Sequence, residues 1–114
     1  MSRLSSLNDL INFTKPVSAA TNELSAYDWD IDGPLVVLKV GHLTSVLAQY
    51  LSGTFSAAQV EDWANAIESR EDIKFEPGSH VGQAIHELAN PLLTQALSRQ
   101  SAQAWVAQLT AAAT

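Results

Sequence analysis

The chain has no cysteine among its 114 residues. That excludes a disulfide framework, thiol catalysis and any cysteine-ligated zinc site. Basic residues are scarce: six Lys and Arg face twelve Asp and Glu, for a formal charge of −6. A surplus of acid repels phosphate backbones and anionic lipid, so neither a nucleic acid nor a membrane is expected as partner. Long apolar runs are absent too. The longest, Leu35 to Leu38, is far short of a membrane span. The opening Met1-Ser-Arg-Leu-Ser-Ser-Leu lacks the apolar stretch of a secretory signal, and a cytoplasmic location is expected. Glycine (five) and proline (four) are few enough to act as punctuation. No segment reads as an interdomain linker, so residues 1–114 are expected to form a single helical domain.

Helical periodicity dominates what is present. Leu43, Val46, Leu47, Tyr50 and Leu51 recur at i, i+3, i+4, i+7 and i+8, and Gly53 follows as a left-handed helix stop. Ser56 and Gln59 have the spacing of a capping box, ahead of a stripe made by Val60, Trp63, Ala64 and Ile67. Leu4, Leu7, Leu10 and Ile11 predict a first helix that stops before Lys15-Pro16. Ser79 is placed to cap a helix striped by Val81, Ala84, Ile85 and Leu88 and ended by Asn90-Pro91. Ser98 or Ser101 is placed to cap a last helix with Ala102, Trp105, Val106 and Leu109 on one face. Residues 17–27 are ambiguous, with a turn of helix at most over Asn22 to Ala26. Leu35 to Leu38 favours an extended form but has no evident partner, so no sheet is expected. The predicted fold is all-α: a compact bundle of four to five helices with antiparallel neighbours and an irregular acidic loop near residues 16–39. Trp63 and Trp105 are expected in its core. Trp29, among aspartates, either plugs back into the bundle or faces a partner.

Chemical motifs are incomplete. Asp28, Asp30, Asp32 and Gly33 open like a calcium-binding EF-hand loop, but the twelfth position, which needs a bidentate glutamate, is Lys39. A weak calcium module through these aspartates stays as an alternative to an acidic surface turn. His86-Glu87 begins like a zinc-protease signature, but Asn90 stands where the second histidine belongs. His42 and His80 are placed elsewhere, so no metal site and no cofactor are expected. Adjacent acids such as Glu61-Asp62 point apart on a helix, and no nucleophile motif or phosphate-binding glycine loop is present. The chain is therefore expected not to be an enzyme.

The acids are unevenly spread. Glu23, Asp28, Asp30 and Asp32 precede the central helices, and Glu61, Asp62, Glu68, Glu71, Asp72 and Glu76 fall in the second of those helices and its connector, leaving only Asp9 and Glu87 outside these stretches. Glu61, Asn65 and Glu68 fall on one helical face, opposite Trp63 and Ile67. Glu61, Asp62, Asn65 and Glu68 are accordingly the candidate contact residues of a small acidic protein-binding module with a basic partner. Alanines spill beyond the stripe of the last helix, which makes a homodimer a further possibility.

The run Tyr50-Leu-Ser-Gly-Thr-Phe-Ser-Ala-Ala-Gln-Val-Glu-Asp-Trp63 is similar to part of the colicin-like self-protective immunity family of bacteria. Those proteins are small acidic helical bundles that bind and block a basic nuclease toxin. The resemblance implies an immunity- or antitoxin-type inhibitor and carries no functional residue onto a numbered position of this chain.

Overall fold

The structure, a computed structural model, describes residues 3–26, 36–70, 72–76 and 78–112. Its helices are α1 (Arg3–Asn12), α2 (Val17–Leu24), α3 (Val40–Leu51), α4 (Ala57–Glu68), α5 (His80–Ala89) and α6 (Arg99–Ala112). The starts follow the capping chemistry of the sequence. Ser56 Oγ accepts from the Gln59 N–H at 3.2 Å, and Gln59 Oε1 accepts from the Ser56 N–H at 2.8 Å. Ser79 Oγ accepts from Gly82 N–H. Ser98 and Ser101 each donate a backbone N–H to the other's hydroxyl, so both serve α6. The α3 start differs: the Lys39 N–H donates to His42 Nδ1 at 2.9 Å, and an ammonium has no lone pair to return the bond. Ser56→Ala is expected to cost about 1 kcal/mol, read as a shift of the urea midpoint at unchanged m-value.

Two helix ends use one motif. After α3, Gly53 N–H bonds Tyr50 O and Thr54 N–H bonds Gln49 O, with Gly53 at φ +87°. After α1, Phe13 N–H bonds Leu10 O and Thr14 N–H bonds Asp9 O, and Phe13 takes the left-handed conformation at φ +53°. Both are Schellman stops. Glycine meets the requirement without strain, whereas a bulky side chain there costs of order 1–3 kcal/mol. The Phe13 ring stacks on Phe55 at a centroid distance of 4.0 Å and lies 6.3 Å from Trp63.

The helices pack chiefly as α1 with α2, α4 with α5, and α3 with α6. Residues 3–11 bury Leu7, Leu10 and Ile11; the other core side chains include Leu24, Leu43, Leu47, Val60, Trp63, Ile67, Ile85 and Leu109. The described residues have a radius of gyration of 13.6 Å. Trp63 is fully buried, and its Nε1–H donates to Leu10 O at 2.7 Å, tying α4 to α1. Trp105 is nearly buried, and its Nε1–H donates to Glu87 across the α5–α6 junction. Among the described residues no helix is long and apolar enough to cross a membrane.

Three expectations change. Among the described residues six helices replace four or five, because Val17–Leu24 is helical: Pro16 O accepts from Ala19 and Ala20, and Ala20 and Leu24 are buried. Its stripe is short and partly alanine, so the periodic signal is weak. The main partner of α3 is α6, remote in sequence, and the short connection to α4 does not dictate the pairing. A sheet is present as well: β1 (Val36–Val37) and β2 (Ile73–Lys74) pair in parallel, Val36 with Ile73 and Val37 with Lys74. The partner of the apolar run is a segment too short and too charged to read as a strand. The crossover between them carries α3 and α4, in keeping with the long connection that parallel strands need.

Candidate functional site

The predicted contact residues stand on α4, and the fold divides them. Glu68 turns toward α5: its Oε2 is 3.2 Å from His86 Nδ1, and its Oε1 accepts from Asn90 Nδ2 at 3.2 Å. Glu61 is half-buried. Asp62 and Asn65 are exposed and line a different feature, an open groove of about 430 Å³ between α4 and the α1–α2 turn. The other walls are Phe13, Pro16, Val17, Ser18 and Gln59. Phe13, Pro16 and Gln59 also border a smaller hollow of about 250 Å³ with Thr14, Lys15 and Phe55. So the four residues share α4, with Asp62 and Asn65 toward the groove and Glu68 toward α5. The apolar half of the groove comes from the α1–α2 turn, which carries no charge pattern that would mark it in sequence.

The electrostatics of the groove follow from how the cations are used. Lys15 Nζ is 3.1 Å from Asp9 Oδ2 and 2.8 Å from Glu23 Oε2. Glu23 also accepts from the buried Ser6 hydroxyl at 2.9 Å. The Lys15 and then the Ser6 hydrogen bonds hold the Glu23 carboxyl below its ordinary range, and the Thr14 and Lys15 bonds do the same for Asp9. The two carboxylates in turn raise Lys15. The lysine nearest the groove is thus already shared between two acids. Among the described residues no ion pair with Lys or Arg involves Glu61, Asp62 or Glu68.

Asp72 does not join the acidic surface that the sequence suggests. It is 2% exposed and gripped by Arg70, through Nε at 2.8 Å and Nη2 at 2.9 Å, and by Arg3 Nε at 3.2 Å. Burial opposes its charge, but the two guanidinium groups outweigh burial and hold the carboxyl below its ordinary value. This triad fastens the start of α1 to the strand β2.

The histidines stand apart, His42 at the start of α3, His80 at the start of α5, and His86 beside Glu68. Burial, then the Lys39 charge, lowers the His42 pKa. Among the described residues no group of three or more His, Asp or Glu side chains is placed to hold a metal ion. Asp28, Trp29, Asp30 and Asp32, and Glu71 of the acidic connector, lie outside the described residues.

Comparison with protein families, with curated proteins and with solved structures found no match to this chain.

Proposed function

We propose that the chain works by binding a basic protein, and that α4 carries the contact through Glu61, Asp62, Asn65 and Glu68. The observation that supports this is selective neutralisation. Asp9, Glu23 and Asp72 each have a lysine or arginine partner, whereas the acids of α4, like Glu76 and Glu87, have none among the described residues, and α4 is the helix on which three such acids stand together. Carboxylates without a lysine or arginine partner speed the approach of a positive partner and repel wrong ones; Glu68 is held only by His86 and Asn90. An immunity- or antitoxin-type inhibitor is the form of binding that the family resemblance suggests.

The test is the double charge reversal Glu61→Lys with Glu68→Lys, measured against the partner captured from the host. Affinity is expected to fall at least about tenfold, roughly 1.4 kcal/mol, and to lose much of its salt dependence. Stability should fall by about 1 kcal/mol, since Glu68→Lys gives up the contacts with His86 and Asn90, and the variant should still unfold cooperatively. Unchanged affinity would remove α4 as the docking face.

Self-association is the second reading. Leu92 and Leu93, in the connector after Pro91, are 99% and 79% exposed, and Ala104, Ala107 and Ala111 lie on the outer side of α6. Exposed leucines in pairs are a common mark of an interface. Sedimentation of the wild type beside a Leu92→Ser, Leu93→Ser variant distinguishes dimer from monomer.

A further inference from the structure

We infer that the groove between α4 and the α1–α2 turn is a pocket for one arginine side chain presented by the basic partner. The inference rests on the docking role proposed for α4 and names the group that α4 recognises. An arginine has two chemically distinct parts, an apolar stem and a planar cation. The groove has two matching halves. Phe13, Pro16 and Val17 line it from the α1–α2 side, and Asp62 and Asn65, a carboxylate and a carboxamide, line it from α4. A volume of about 430 Å³ is at the low end of the range for ligand clefts, roughly 300–1,000 Å³, which suits a side chain better than a folded element.

Three features hold the groove ready. The Lys15 ammonium is engaged by Asp9 and Glu23 and makes no ion pair with Asp62. Gln59 is pinned by its bond to the Ser56 N–H. Phe13 occupies the left-handed stop where the equivalent turn after α3 uses Gly53. A glycine there would satisfy the backbone and leave the wall of the groove without its ring. The strained phenylalanine, stacked on Phe55, keeps that wall in place. Strain retained at such a position accords with a ligand clamp.

The probe is N-acetyl-arginine methylamide, titrated at low salt into the full chain with amide resonances as the readout. Saturable shifts are expected at Phe13, Ser18, Asp62 and Asn65 and at the Trp63 indole N–H beneath Phe13, with a Kd in the millimolar range expected of a fragment. The isosteric but uncharged citrulline analogue should give none. Asp62→Asn, an exposed change that leaves the fold intact, should weaken the arginine response at least tenfold. The inference is overturned by the absence of a saturable response, by an equal response to citrulline or to the lysine analogue, or by an undiminished response in Asp62→Asn. The two proposals fail separately. Partner affinity that depends on Glu61 and Glu68 without an arginine response removes only the pocket. An arginine response with partner affinity indifferent to Glu61 and Glu68 removes only the broader face.

Discussion

Trp63→Ala is expected to destabilise the protein by about 3–5 kcal/mol, the cost of deleting a large, fully buried ring that the surroundings cannot refill. A 114-residue protein has a total stability of about 6–17 kcal/mol at 0.05–0.15 kcal/mol per residue, so this one change removes a large share of it. Two losses combine. The indole's apolar area and contacts go, including those with the Phe13 ring. The hydrogen bond from Nε1–H to Leu10 O goes as well. Leu10 O keeps one partner, the Phe13 N–H, so the carbonyl is not orphaned. The hydrogen bond is therefore the smaller part. Trp63→Phe should cost clearly less than Trp63→Ala, and guanidinium unfolding of the two variants with a common m-value measures the difference. Equal costs would mean that the hydrogen bond, and not the ring, ties α4 to α1.

Asp72→Ala is expected to cost about 3 kcal/mol, at the low end for breaking a buried ion pair by removing one partner. The carboxylate is 2% exposed, but Arg70 and Arg3 remain 10% and 17% exposed. Water stays close to the guanidinium groups, so they are partly rehydrated when the acid is lost. The pH dependence gives an independent check. The folded-state pKa of Asp72 is depressed, so its charge stabilises the fold above the unfolded carboxylate range, near pH 4, and that contribution is lost as the pH falls through the folded value. Asp72→Asn has no such titration. The stability gap between wild type and Asp72→Asn should be constant from neutral pH down to about pH 5 and then narrow below about pH 4. A gap that does not change through that window would show that the triad acts by shape and not by charge.

Local signals made much of the helix frame legible. Ser56 with Gln59, Ser79, the Ser98–Ser101 pair and Gly53 are each short-range arrangements of donors, acceptors and backbone freedom, and each acts where the sequence places it. The stripes of α1, α3, α4 and α5 likewise foretell most of the buried side chains, Trp63 included, with Leu4 of α1, 49% exposed, the exception. Less local features were not legible. Phe13 gives no sign in sequence of a left-handed conformation, because phenylalanine is not a residue that favours it. Asp72 reads as one more surface acid, since its burial depends on Arg3, distant in the chain, coming to meet it.

For every helix but α2 the sequence by itself determined the approximate bounds and the stripe that turns inward, because capping and periodicity are settled within a few residues. It also determined the acidic balance and the absence of cysteine chemistry. Tertiary structure alone decided that α3 pairs with α6, that Val36–Val37 finds Ile73–Lys74, and that Asp62 and Asn65 face the Phe13 turn while Glu68 faces His86. Those outcomes depend on contacts between segments far apart in the chain, where many pairings satisfy the same apolar stripes and only packing of the whole selects among them.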